Sequence, residues 1–219
     1  LEKCLSILLK EKTSVIGAGR TDAGVHAKQM VAHFDSYKND LSNTSLTKKL
    51  NSFLPKDISI KKIIPVSTKA HARFDAIART YQYYISKEKD PFYHEYSFYH
   101  SKELNLKRMN EAANLLKNFS DFTSFSKLHT DAKTNICQIN TAFWEEKDTY
   151  YVFTIQANRF LRDMVRSIVG TLVDVGKEKT DINEFIQIIE YKNRALAGIS
   201  MPAHALFLTK IEYPSDIFL

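Results

Sequence analysis

Several kinds of protein are excluded by what this chain lacks. No run approaches the roughly 20 apolar residues that a membrane-spanning helix requires, and no secretory leader opens the sequence. The two cysteines, Cys4 and Cys137, have no paired framework and no CxxC spacing, which argues against disulfides and a thiolate zinc site. A reducing cytoplasm is therefore the expected compartment. There is no glycine-rich phosphate loop and no dinucleotide fingerprint, and His26, His33 and His71 form no ligand pattern with nearby cysteines or carboxylates. Neither a metal nor a cofactor is expected. Low-complexity linkers and internal repeats are also missing, so the chain reads as one compact unit.

What remains is an ordinary globular composition. The 219 residues suffice for one large domain or two fused small ones, and 44% hydrophobic with 26% charged residues can build and solvate a core. A net charge of +6 and a pI near 9.1 make a polyanion a plausible partner without identifying one. Leu1 to Lys10 reads as the end of an amphipathic helix, with Leu1, Leu5, Leu8 and Leu9 at helical spacing and no preceding cap or start methionine. The natural N-terminus is expected to lie upstream.

Periodicity and turn residues give the elements. Ser14–Ala18 reads as a strand, followed by the glycine-bounded loop Gly19-Arg20-Thr21-Asp22-Ala23-Gly24. Val25–Phe34 reads as the next strand, Ser45–Leu54 as a helix stopped by Pro55, and Ile58–Val66 as a strand. Thr80–Ile85 is strongly β-forming, while Pro91–His100 reads as an aromatic-rich hairpin or loop. Leu106–Leu116 is helical, and Asn135–Glu145 pairs with Tyr150–Ala157 as a hairpin turning at Glu146-Lys147-Asp148. Phe160–Val175 is the clearest helix, with Gly176 in the position of a C-terminal cap. A helix over Asp181–Tyr191 and a strand over Leu206–Tyr213 complete the chain. Strands and helices mingle without a βαβ rhythm, which favours an α+β fold with a largely antiparallel sheet.

Three segments could carry chemistry. Asp22 sits at an exposed loop tip, and a nearby cation such as Arg20 would help keep a nucleophilic carboxylate ionised. Spacing alone favours reading Thr21–Gly24 as a simple turn with Asp at a preferred position. In the helix from Phe160, one face is filled by Leu161, Met164, Val165, Ile168, Val169 and Leu172. Arg159, Arg162 and Arg166 line its border, suited to phosphates or to one buried carboxylate. The alternative is that Asp163 pairs with Arg159 and Arg166 on a solvated surface; Arg162 has no acidic neighbour within the helix. Finally, Ala70-His71-Ala72-Arg73-Phe74 runs into Arg79-Thr80-Tyr81-Gln82-Tyr83-Tyr84, aromatics interleaved with cations as unstacked bases and a phosphate backbone would favour. Strand alternation sends Tyr81 and Tyr83 to one face and Tyr84 to the other, and core packing accounts for most such tyrosines.

Four ordered motifs make a family resemblance. Gly19-Arg20-Thr21-Asp22-Ala23-Gly24-Val25-His26-Ala27, Arg73-Phe74 with Arg79-Thr80-Tyr81-Gln82-Tyr83, Phe160 to Gly170, and Ala203-His204-Ala205-Leu206-Phe207-Leu208 with Tyr213-Pro214 together resemble the TruA-type tRNA pseudouridine synthases. The resemblance runs almost from end to end. It implies a pseudouridine synthase fold of two ferredoxin-like halves, 1–103 and 104–219, with the active-site cleft between them. It implies isomerisation of uridines 38–40 in the tRNA anticodon stem–loop, without metal or cofactor, by a homodimer whose subunits jointly grip one tRNA. Asp22 is then the nucleophile, with attack at the base and attack at the sugar both open. Arg166 is its basic partner, Tyr81 lies against the base, Leu206 packs on the uracil, and Arg20 fills the space left by the flipped nucleotide. Arg159, Arg162, His71 and Arg73 are candidates for backbone contact. Two departures stand out: the family's opening strand, with its Tyr and Gln, has no counterpart here, and Ala205 replaces the usual Gly. Two other readings compete, a non-catalytic RNA-binding protein on the same scaffold and a glycosidic-bond enzyme that releases free base.

Overall fold

The computed structural model describes residues 1–38, 41, 44–127 and 133–219. Its elements in chain order are α1 (Glu2–Leu9), β1 (Ile16–Gly17), β2 (His26–Ala27), β3 (Ala32–His33), α2 (Thr44–Phe53), β4 (Ala78–Ser86), β5 (Phe98–Tyr99), α3 (Leu106–Leu115), β6 (Ile139–Lys147), β7 (Tyr150–Ala157), α4 (Met164–Gly176), α5 (Ile182–Glu190) and β8 (Leu206–Glu212). Among the described residues no helix is long and apolar enough to cross a membrane. The absence of linkers suggested one compact unit, but the tertiary contacts gather into two. One comprises Leu1–Arg20, Met30–Ala76 and Tyr213–Leu219; the other comprises Thr21–Gln29 and Ile77–Glu212.

In the smaller unit, the apolar stripes of α1 and α2 meet, burying Leu5, Leu9 and Leu50 against Leu46, Phe34, Ile60 and Ile63. β1 pairs antiparallel with β3 through Ile16–His33 and Gly17–Ala32. The strand expected over Ile58–Val66 does not form. Only Val66 makes a bridge, to Phe218, and Asn51 of α2 takes up the backbone of Ile60 on both sides, through its amide nitrogen and oxygen.

The larger unit is a six-stranded sheet in the order β2-β8-β4-β7-β6, with β5 pairing β4 at its far end. The β8–β4, β4–β7 and β7–β6 pairs are antiparallel, and the short β2 and β5 add parallel pairs. This is the mixed, mainly antiparallel α+β architecture expected. Val25–Phe34, expected as one strand, is two: His26–Ala27 joins β8, whereas Ala32–His33 joins β1. The hairpin of β6 and β7 turns at Asp148 and Thr149 instead of Glu146–Asp148, with Asp148 at φ 50°.

α4 carries the core. Met164, Ile168, Val169 and Leu172 are fully buried with Tyr83, Ile85, Phe153, Ile155 and Phe185. The apolar face expected for this helix is buried as a set, but the helix begins four residues later than Phe160. Asp163 has φ 69°, a left-handed conformation that cannot be extended backwards as a right-handed helix. Gly176 is likewise not the cap. It is the last helical residue, and a Cβ there would lie 2.5 Å from Met109 Sδ of α3. The left-handed residue that ends α4 is Glu178, at φ 58°.

Candidate active site

The loop carrying Asp22 is indeed a turn. Its carbonyl accepts a hydrogen bond from Val25 N at 3.1 Å, and Gly24, the third residue, has φ 85°, the left-handed value that only glycine adopts without strain. The chain then enters β2, which docks on β8, and both Lys28 N and Gln29 N donate to Leu208 O. The turn is thus fastened to the sheet directly after Asp22. Its side chain is not used to stabilise its own turn, as an Asp in that position commonly is.

The carboxylate of Asp22 goes instead to α4. Arg166 Nη1 donates to Asp22 Oδ2 at 3.0 Å, and Arg162 Nε lies 3.7 Å from Oδ1. Arg166 is held from three sides. Its Nε donates to Met201 O at 2.6 Å, and Nη1 also lies 2.9 Å from Asp163 Oδ1. The Asp22 side chain remains 25% exposed, against 19% for Arg166 and 17% for Asp163. A carboxylate paired with a guanidinium yet partly exposed to solvent is an arrangement that nucleophilic attack can use.

The wall beside it is aromatic. Tyr81 of β4 meets Phe160 edge to face at 5.2 Å between ring centres. Burial pushes the Tyr81 phenol up to about 12; Arg79 pulls it back and Asp22 pushes it further up. Tyr83, on the same face, is fully buried and donates to Pro202 O at 3.0 Å. Its phenol is raised by burial, with Arg166 opposing. Register pairs Tyr83 with Leu206 and Tyr81 with Leu208, placing all four on one face of the sheet. Leu206 is 5% exposed and belongs to the core. Tyr84 points the other way, accepting from Lys28 Nζ and donating to Gln82 Oε1.

The structure therefore brings Asp22, Arg166, Arg162 and Tyr81 together in the larger unit. Asp163 pairs with Arg166, as one sequence reading allowed, but within a half-buried network and not on a solvated surface. Arg159 donates its backbone N–H to Asn158 Oδ1, in the turn that leaves β7. Arg20, His71 and Arg73 belong to the smaller unit. Arg20 is exposed. His71 Nδ1 accepts from the backbone of Arg73 and Phe74, its ring lies 4.3 Å from that of Phe74, and the Arg73 guanidinium lies 5.6 Å from the centre of the Phe74 ring. Sequence reasoning did not single out Ser200, Met201 or Arg194. Nothing in the spacing of 194–201 marks it as part of this site, since it is a short 3-10 turn, Arg194–Leu196, and an irregular stretch far along the chain.

That arrangement can be set beside known proteins. A family model described as tRNA pseudouridine synthase matches residues 112–214. The tRNA pseudouridine synthase A of Azobacteroides pseudotrichonymphae is 57% identical over 218 residues, covering all of this chain and 87% of the relative. That of Bacteroides fragilis is 56% identical over 219 residues, with the same coverage. The chain belongs to the TruA family of tRNA pseudouridine synthases. It is an isomerase by that membership. A more distant member, the tRNA pseudouridine synthase A of Dictyoglomus thermophilum, is still 38% identical over 216 residues, 97% of this chain and 88% of that one. Matches at this coverage take in both compact units, so the family's identity does not rest on the Asp22 loop alone.

Proposed function

We propose that this chain converts uridines 38–40 of the tRNA anticodon stem–loop to pseudouridine, with Asp22 as nucleophile. The observation that carries the reading is the Asp22–Arg166 ion pair at 3.0 Å, with a carboxylate that is partly exposed and near enough to the Tyr81 phenol to act on it electrostatically. The target nucleotide is flipped out of its stack, at a cost of a few kcal/mol offset by stacking and by Arg20 filling the vacated space. The C1′–N1 bond breaks, the base turns, C5 bonds to C1′, the C5 proton leaves and N1 takes up a proton. No atom is gained or lost overall, so the reaction requires no cofactor. Attack at the sugar and attack at the base satisfy the same balance.

With a pKa of about 12, Tyr81 is a phenol at neutral pH. It presents an edge and a hydrogen-bond donor to the uracil, and can accept the C5 proton only while passing its own to a base such as Asp22. Leu206 supports the uracil from the sheet. Arg159, Arg162, His71 and Arg73 meet the RNA backbone, in recognition of shape more than of sequence. The functional form is a cytoplasmic homodimer, each chain built from two ferredoxin-like halves, 1–103 and 104–219.

The test is product mapping on unmodified tRNA transcripts. Pseudouridine confined to positions 38–40, with no free uracil, is expected. Released uracil would make this a base-removing enzyme, and tight tRNA binding without isomerisation would make it a binding protein; either result overturns the reading.

A further inference from the structure

The helix bearing Arg166 starts in an unusual way. Asp163 is the N-terminal cap residue of α4, where an aspartate ordinarily accepts hydrogen bonds from the first backbone N–H groups. Its side chain makes no such bond. Instead it sits at φ 69°, and its two oxygens are committed elsewhere, Oδ1 to Arg166 Nη1 at 2.9 Å and Oδ2 to the hydroxyl of Ser200. A non-glycine residue in the left-handed region that also forgoes capping indicates that the carboxylate serves another purpose.

Ser200 completes the arrangement. Its oxygen lies 3.0 Å from Ser167 Oγ and 2.9 Å from Arg194 Nη2. A hydroxyl has one proton and two lone pairs. Here the proton goes to Asp163, and the lone pairs accept from Arg194 and Ser167, so the group is saturated in one orientation. Arg194 is itself anchored, donating to the carbonyl of Gly198 at 3.1 Å. The next residue, Met201, supplies the carbonyl that fixes Arg166 Nε. A single segment, 198–201, thereby sets Arg166 from two directions, through its own backbone and through Asp163.

We propose that Asp163 and Ser200 are positioning residues that orient Arg166, and through it Asp22, for the isomerisation step. The proposal rests on the assignment of Asp22 as nucleophile. Arg166 Nη1 is shared between two carboxylates. Asp163 shares the guanidinium and keeps it from closing over both oxygens of Asp22, so that Oδ1 faces the more exposed Arg162 at 3.7 Å instead. Without the Ser200 bond, Asp163 can swing to take both guanidinium nitrogens, and Arg166 turns away from Asp22.

The test uses the full chain in single-turnover release of tritium from C5-labelled uridine in tRNA, alongside tRNA affinity and thermal melting. Asp163→Asn keeps the shape, and Asn tolerates the left-handed backbone as well as Asp does. It is expected to slow the reaction about tenfold or more with tRNA affinity changed less than about twofold. Ser200→Ala should do the same, and Ser200→Thr, which restores a hydroxyl, should recover most of the rate. Because all act through one guanidinium, Asp163→Asn should add nothing in an Arg166→Lys background. Full rate in both Asp163→Asn and Ser200→Ala would overturn the proposal, as would a loss confined to tRNA affinity. Asp22→Asn is run in parallel. If it stays active the nucleophile assignment itself fails, whereas an inactive Asp22→Asn with unaffected Asp163 and Ser200 variants rejects the positioning role alone.

Discussion

Replacing Gly170 by Ala puts a methyl group where the backbone of another segment already lies. A Cβ at this position would be 1.9 Å from Ile199 O and 3.1 Å from Ile199 C. The reverse approach is as tight, since a Cβ on Gly198 would lie 2.7 Å from both Gly170 C and Thr171 N. Relief requires segment 198–201 to lift from α4 by about 1.5 Å, because non-bonded contacts settle near 3.5 Å. A lift of that size carries the Met201 O–Arg166 Nε bond, now 2.6 Å, beyond the hydrogen-bond limit. It also strains the Gly198 N–Thr171 Oγ1 bond of 2.9 Å. Overpacking costs about 1–3 kcal/mol, and loss of a hydrogen bond from a charged group about 1.5–3 more. The melting temperature should drop by roughly 10 °C. With Arg166 released from one anchor, single-turnover tritium release should fall by about a hundredfold. A Gly170→Ala variant that melts within about 2 °C of the parent and reacts at the parent rate would refute this account of how Arg166 is held.

Other consequences can be checked separately. Arg166→Lys keeps the charge but not the planar fork that reaches two carboxylates and a carbonyl, so the rate should fall about a hundredfold with the fold retained by circular dichroism. Arg162 is 62% exposed; Arg162→Ala should leave stability unchanged, weaken tRNA binding and reduce the salt dependence of affinity by about one phosphate contact in a titration series. Tyr81 makes stability fall at alkaline pH. Below pH 10 the phenol is protonated in both folded and unfolded chains; above it the unfolded chain releases its proton while the folded one retains it to about 12. About 2–3 kcal/mol is therefore lost as the pH rises from 10 to 12, and denaturant unfolding of Tyr81→Phe should show that much less alkaline loss.

Local periodicity made much of the fold legible. The buried face of α4, the β4 strand and the β6–β7 hairpin follow from apolar spacing and β-branched or aromatic content, because those patterns coincide with burial. Failures occurred where long-range pairing decides. Ile58–Val66 has strand residues but finds only a bridge at Val66, and Val25–Phe34 is split because its two ends take different partners. The start of α4 was misplaced because a left-handed Asp163 leaves no trace in hydrophobic spacing. At the site, Asp22 and Arg166 were legible only as members of ordered motifs. Asp163 was visible as a neighbouring charge, but its link to Ser200 spans 37 positions and could not be read from either segment.

Single-turnover conversion of unmodified tRNA by Asp22→Asn tests the central claim most directly. The substitution removes the nucleophilic oxygen while keeping the size of the side chain and the amide oxygen that can still accept from Arg166. The predicted result is unaltered melting and tRNA affinity, with pseudouridine formation below about a thousandth of the parent rate. Pseudouridine formation at a rate near the parent's would contradict it.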